Sequence, residues 1–222
     1  MVRPQALVFD WDNTLVDSWV CIQAAINATL RAMGHREWDM AETMERSALS
    51  LRDSFPAVFG ERWIEAREIF YRTFESIHYQ YLKPIPGVPA MLDSFAALGL
   101  PMAVVSNKNG RYLREEAHHL GWDERFSRLV GANDASQDKP AAEPVRLVCQ
   151  AMGVTVGPAV WFIGDAPVDM ECALNADCTP ILVRIKEPSE LGFISSPPRR
   201  HLHDSTALTA LVSELLIPIS TD

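Results

Sequence analysis

Four short polar clusters stand beside apolar runs of the chain, and their side chains are the ones that could do chemistry. Asp10-Trp11-Asp12-Asn13-Thr14 follows the run 6–9, Ser106-Asn107-Lys108 follows 102–105, and Gly164-Asp165, with Asp169 shortly beyond, follows 160–163. Asp138-Lys139-Pro140 precedes the helical pattern that leads into the last of these runs. In extended backbone, residues two apart point to the same side, so Asp10 and Asp12 face one way. Carboxylates brought together repel unless something positive sits among them. Asp10, Asp12 and Asp165 offer the hard oxygen ligands that Mg²⁺ takes, and Mg²⁺ uses one or two carboxylates together with substrate phosphate oxygens. A carboxylate left over can act as a covalent nucleophile toward phosphorus. Lys139 would offset charge on a transferring phosphoryl group. Ser106 and Asn107 would bond phosphate oxygens, with backbone N–H groups helping. Taken singly, each cluster has a plain alternative: an acidic turn, a solvated lysine before proline, a Ser-Asn turn opening. Their shared placement at strand ends is what favours chemistry.

The elements that must position these residues read as alternating strands and helices. Five Val- and Ile-rich runs, at 6–9, 102–105, 129–131, 160–163 and 181–183, lack clean alternation, as expected of strands covered on both faces. Helical patterns at 88–98 and 143–152 lie between them, and Pro144 suits the first turn of the second. This predicts an α/β fold, a Rossmann-like parallel sheet with right-handed crossovers. In such sheets ligands bind at the carboxyl ends of the strands. Between the first two strands roughly ninety residues intervene where a crossover needs about a dozen. Trp19, Ile22, Ile26, Leu30 and Met33 form a helical stripe closed by Gly34, and Phe70, Phe74, Ile77 and Tyr81 form another. The stiff stretch Lys83-Pro84-Ile85-Pro86-Gly87 ends the helical block. The economical expectation is an all-helical cap domain, residues 17–83, inserted into a catalytic core made of 1–16 and 84–222. Trp63, Phe70 and Phe74 are expected in the cap's own core. His118 and His119 sit beside Glu115 and Glu116 on a polar helix and read as a solvated face. A last strand is expected near His201 and a helix from about Thr206 to Leu216.

Composition limits the partners. The formal charge of −9 argues against a nucleic-acid binder, which needs a clustered basic surface. It leaves room for a small anionic substrate at a locally positive site. Cys21, Cys149, Cys172 and Cys178 form no CxxC pair and have no histidine pair at zinc spacing, so they read as packed thiols of a reduced compartment. The N-terminal apolar run stops at Asp10, too short for a signal peptide. The run 88–105 approaches membrane-span length, but Asp93, Gly99 and Pro101 divide it into helix, turn and strand. A cytoplasmic enzyme is the default expectation, and the oligomeric state is not legible.

In this order the four clusters resemble the motifs of the haloacid dehalogenase superfamily. Its D-x-D-x-[TV] motif reads Asp10-Trp11-Asp12-Asn13-Thr14; its Ser or Thr ending strand two is matched by Ser106, its lysine by Lys139, and its G-D-x-x-x-D run by Gly164 through Asp169. The resemblance spans nearly the whole chain. The insertion after the first motif resembles the family's helical, C1-type cap, and Pro86-Gly87-Val88 resembles its phosphoglycolate-phosphatase-like branch. The resemblance implies a Mg²⁺-dependent phosphatase of small phosphorylated metabolites. Asp10 would be nucleophile and metal ligand. Asp12 would be acid and base, ligating the metal through its backbone carbonyl. Asp165 would be a metal ligand; Ser106, Asn107 and Lys139 would hold the phosphoryl group. Thr14 would position the first loop, Lys108 would flank the phosphate, and Asp169 would orient metal waters or Lys139. Two positions depart from the pattern: Asn13 and Asp177 stand where the family usually has glycine, and both residue types tolerate the left-handed backbone such sites need.

Other readings stay open at this level. A dehalogenase needs neither metal nor an acid at the second aspartate, so Asp12 and Asp165 favour phosphoryl transfer. A phosphonatase needs a cap lysine, and none precedes Lys83. A phosphosugar mutase shares the core motifs. A non-catalytic module on the same fold would be expected to lose Asp10 or Lys139. Arg52, in a stretch 47–54 read as a loop between cap helices, is a candidate specificity residue, since guanidinium fits a carboxylate or second phosphate bidentately; a surface pairing with Asp53 or another acid is the plainer and favoured reading.

Overall fold

The computed structural model describes residues 1–47, 49–188 and 191–216. By contacts the chain divides into two compact units, Met1–Leu15 with Pro84–Asp222, and Val16–Lys83.

The larger unit is a six-stranded, all-parallel sheet. Its strands are β1 (Ala6–Phe9), β4 (Met102–Asn109), β5 (Leu129–Ala132), β6 (Val160–Gly164), β7 (Thr179–Val183) and β8 (Arg200–Leu202). They lie in the order β5-β4-β1-β6-β7-β8. The chain builds outward from β1 through β4 to β5, then returns to the other side of β1 with β6. This reversal is the topological switch that opens a crevice at the carboxyl ends of the central strands. The registers Phe9↔Val104 and Phe9↔Ile163 set the end of β1 beside Val104 of β4 and beside Ile163, the next-to-last residue of β6. All four residues of β1 and all five of β6 are buried, which explains why these runs do not alternate.

Helices α5 (Val88–Ala97), α6 (Gly110–His119), α7 (Glu143–Met152), α8 (Pro167–Asn175), α9 (Leu191–Ser195) and α10 (Ser205–Leu216) connect and flank the strands. Pro144 sits in the first turn of α7, and Gly153 ends that helix at φ 67°. Phe9 stacks on Phe95 of α5 and meets Phe126 edge-on, joining sheet and helix layer through aromatic area. The expected strand at 181–183 and terminal helix from Thr206 are present with slightly wider bounds. Strand β4 continues well past Val105, where the apolar run stops, so Ser106, Asn107 and Lys108 belong to its carboxyl end, with a register irregularity against β5 after Val105.

The smaller unit contains β2 (Val16–Asp17), α1 (Trp19–Ala32), α2 (Met40–Arg46), α3 (Leu51–Phe59) and α4 (Trp63–Tyr81), and β2 pairs with β3 (Lys83–Pro84) where the chain leaves it. Helix α1 packs against α4. The buried face of α4 is Ala66, Phe70, Phe74 and His78; His78 stacks on Phe74 and takes the place expected for Ile77. Trp63 is half-buried beneath the Arg67 guanidinium. Asp39 and Glu42 cap α2 reciprocally, each bonding the other's backbone N–H. Arg52, expected in a loop, lies in the first turn of α3 and is half-buried. Asp53 accepts the Ser50 hydroxyl at 2.8 Å, an N-terminal turn contact that helps the helix begin at Leu51.

Candidate active site

Strand β1 delivers Asp10 to the crevice, and its backbone N–H still bonds the Ile163 carbonyl of β6 at 2.8 Å. The chain then turns sharply through Asn13 at φ 63°, so asparagine occupies the left-handed position without glycine. Asp177 does the same after α8 at φ 55°. Both departures from the family pattern are thus accommodated by the backbone.

Lys139, on the segment between β5 and α7, reaches the end of β1 and is 2% exposed. Its ammonium donates to Asp10 Oδ1 at 2.5 Å and to Asp169 Oδ1 at 2.7 Å. Asp169 stands in the first turn of α8, where its second oxygen caps the helix by accepting the Ala166 N–H at 3.0 Å. Gly164 makes this approach possible: a Cβ there would collide with the Asp169 carboxylate. The other oxygen of Asp10 faces Thr14, whose hydroxyl makes long contacts of 3.5 Å to Asp10 Oδ2 and 3.4 Å to Asp165 Oδ1. Carboxylate oxygens of Asp10, Asp165 and Asp169 lie within 4.8 Å of one another. Burial pushes the Asp10 carboxyl up to about 7 despite the neighbouring Lys139 charge. Asp165 is raised well above the usual carboxylate range by burial, then by the charges of Asp169 and Asp10. Burial opposes the charge on Lys139, yet the carboxylates of Asp10 and Asp169 prevail and raise its pKa.

A buried cluster of carboxylates that resists ionising is short of positive charge, and its donors are all oxygen. That set fits Mg²⁺. Asp10 Oδ2 and Asp165 Oδ1 share the Thr14 hydroxyl, whereas both Asp169 oxygens are engaged by Lys139 and Ala166. Asp169 therefore suits orienting Lys139 better than holding a cation directly.

Ser106 is buried, and its Oγ accepts the Lys108 N–H at 3.2 Å. Asn107 donates from Nδ2 to the Lys139 carbonyl at 3.2 Å, tying the end of β4 to the lysine-bearing segment. Lys108, at the same strand end, is paired with carboxylates. Its ammonium lies 2.8 Å from Asp12 Oδ1 and 3.3 Å from Glu116 Oε2. Arg52 belongs to the smaller unit.

Three residues near the site were not anticipated. Glu116 shares a helix with the exposed His118, but it is 2% exposed and accepts the Trp11 indole N–H at 2.8 Å. Its position between Tyr112, Leu113 and Ala117 at helical spacing was the signal that it faces inward. Trp11 itself, between the two aspartates of the first motif, is fully buried. Arg184, the residue after β7, donates to the Asp165 carbonyl at 3.3 Å.

Residues 7–183 match the family model described as haloacid dehalogenase-like hydrolase. A phosphoglycolate phosphatase from Chromobacterium violaceum is 31% identical over 81% of this chain and 84% of its own. An N-acetylmuramic acid 6-phosphate phosphatase from Pseudomonas aeruginosa is 29% identical over 82% of this chain and 83% of its own. Among solved structures, a haloacid dehalogenase-superfamily hydrolase from Ehrlichia chaffeensis superposes with a TM-score of 0.69 at 27% identity, covering 98% of this chain and all of that one. A haloacid dehalogenase-like family hydrolase from Streptococcus pneumoniae shares the fold at a TM-score of 0.82 and 19% identity, covering 95% of this chain and 99% of that one. Among the described residues no helix is long and apolar enough to cross a membrane. With the motif residues gathered at the crevice and the family model matching most of its length, the chain is an enzyme of the haloacid dehalogenase-like hydrolase family.

Proposed function

We propose that this enzyme is a Mg²⁺-dependent phosphatase that hydrolyses small phosphate monoesters through a phospho-aspartyl intermediate on Asp10. The observation that carries this reading is the buried Lys139 ammonium set between Asp10 and Asp169, with the second Asp10 oxygen directed toward Thr14 and Asp165. Oδ2 of Asp10, on the side of Asp165, would serve the metal, and Lys139 steadies Oδ1, the oxygen left to attack. As that oxygen bonds to phosphorus, the bond from phosphorus to the ester oxygen breaks, and Asp12 gives its proton to the departing alkoxide. A water then attacks the phosphoryl group of the aspartyl phosphate, Asp12 takes the water's proton, and inorganic phosphate leaves with Asp10 regenerated. Lys139, Ser106 and Asn107 hold the phosphoryl oxygens during transfer. Mg²⁺, held by the side chains of Asp10 and Asp165 and the Asp12 backbone carbonyl, would supply positive charge against the phosphoryl oxygens.

The relatives named for phosphoglycolate and for N-acetylmuramic acid 6-phosphate are named for phosphate esters of carboxylic acids. Their names support a phosphorylated carboxylic acid as the first substrate class to test here, with Arg52 as the candidate partner of the carboxylate. The deciding experiment measures phosphate release from p-nitrophenyl phosphate, with Mg²⁺ and with EDTA, beside Asp10→Asn, followed by a panel of natural esters beginning with phosphoglycolate. Metal-dependent release that Asp10→Asn abolishes is expected. Release that survives Asp10→Asn, or the absence of phosphate on Asp10 across the panel, refutes the reading.

A further inference from the structure

Glu116 is a buried carboxylate for which the chemistry above has no use. It projects from α6 on the face it shares with Tyr112, Leu113 and Ala117, and it is 2% exposed. A carboxylate is not withdrawn from water without compensation. Here that compensation leads toward the reacting centre. Glu116 Oε2 accepts the Trp11 indole N–H at 2.8 Å and faces the Lys108 ammonium at 3.3 Å. The Lys108 side chain, 5% exposed, donates in turn to Asp12 Oδ1 at 2.8 Å. Trp11 is held by its own burial and by an edge-on contact with Trp122, ring centres 5.9 Å apart, so its N–H is a fixed donor. A connected path therefore leaves the first motif at Trp11, crosses Glu116 and Lys108, and returns to the motif at Asp12.

The geometry points to Glu116 as a positioning residue for proton transfer: with Trp11 it anchors Lys108, and the anchored ammonium fixes the Asp12 carboxylate. A lysine carries its charge on a flexible four-carbon stem, and one carboxylate leaves that charge free to follow any nearby anion. A second, immobile carboxylate removes this freedom. Without Glu116, Lys108 turns toward the substrate phosphate and Asp12 loses its restraint. This inference rests on Asp12 being the acid and base of the proposed reaction and deepens that reading.

The readout is leaving-group dependence. An alkoxide needs a proton from Asp12 to depart, whereas p-nitrophenolate does not. Glu116→Gln keeps the shape and removes the charge. It is expected to lower the single-turnover rate of Asp10 phosphorylation by an alkyl phosphate about 10- to 100-fold, and by p-nitrophenyl phosphate less than about threefold, since misplacing a proton donor forfeits much of the general-acid contribution in that step alone. Adding Glu116→Gln to Lys108→Met is expected to cost nothing further, because the first residue acts through the second. Should Glu116→Gln not fold, Trp11→Phe, which removes the indole donor alone, reports the same bias. Equal losses on both esters, or additive losses in the double variant, overturn the inference. A crystal structure of Glu116→Gln with inorganic phosphate bound tests it without turnover: Lys108 turned from Asp12 toward the phosphate is expected, and Lys108 still bonded to Asp12 overturns the assignment even if the enzyme proves not to be a phosphatase. Failure of the phosphatase reading shows separately, in a wild type that releases no phosphate.

Discussion

Replacing Lys139 with methionine removes the charge that separates three carboxylates while keeping most of the side-chain volume. The oxygens of Asp10, Asp165 and Asp169 lie within 4.8 Å, where two full charges at an effective dielectric of about 20 repel by about 3 kcal/mol. Losing one partner of a buried ion pair costs about 3–5 kcal/mol in general, a similar size. For a chain of this length each kcal/mol lowers Tm by about 2–4 °C, so the metal-free variant is expected to melt about 6–20 °C below wild type at pH 7.5. The sign of the pH dependence follows from Asp10, whose pKa in the folded protein is raised to about 7 from an ordinary value near 3.8. A raised acid favours the folded state while it holds its proton, and that contribution is lost as pH rises from about 4 toward 7. Without Lys139 the folded Asp10 pKa rises further, so variant and wild type lose this contribution in parallel below about pH 7 and the gap between them widens above it. Added Mg²⁺ narrows the gap at pH 7.5 by restoring positive charge. Phosphate release is expected to fall by about 10²–10³, the usual cost of losing one stabilising donor in a transition state. Thermal unfolding from pH 5 to 8, with EDTA and with Mg²⁺, is the assay. A metal-free variant as stable as wild type at pH 7.5 refutes the argument that Lys139 holds the cluster together.

Three further outcomes follow from the same geometry. Because Asp10 and Asp165 are both raised, Mg²⁺ binding near pH 6.5 is expected to release protons and to strengthen as pH rises toward 7.5; calorimetric enthalpies that do not vary with buffer ionisation enthalpy refute this. Gly164→Ala drives a Cβ into the Asp169 carboxylate, so it is expected to destabilise the protein by about 1–3 kcal/mol and to reduce kcat through a displaced Lys139; wild-type Tm and kcat would contradict the packing argument. Arg52→Ala is expected to raise KM for phosphorylated carboxylic acids while leaving p-nitrophenyl phosphate unaffected, and unchanged kinetic constants across the panel remove Arg52 from substrate recognition.

The apolar runs at 6–9, 160–163 and 181–183 announced buried parallel strands, because a strand covered on both faces has no polar face to alternate with. The clusters beside them named Asp10, Lys139, Asp165 and Asp169 as candidates, and their residue types favoured an anionic substrate with a hard cation over the other readings left open. Local backbone tolerance was also legible, since asparagine at 13 and aspartate at 177 could accept the left-handed backbone both adopt. What stayed hidden depends on strand order and on which helix face meets the sheet. Lys108 finds Asp12 across 96 positions because β4 lies beside β1, and nothing local distinguishes that partner from a substrate phosphate. Glu116 looked like its polar neighbours because its compensation lies 105 positions away, at Trp11. The oxygens of Asp10 divide between Lys139 on one side and Thr14 with Asp165 on the other through convergence of three chain segments. The sequence by itself therefore determined which groups were present and at which end of the sheet they gathered, since periodicity and residue chemistry are local. Only the tertiary structure decided which charge answers which, because that depends on distances between segments far apart in the chain.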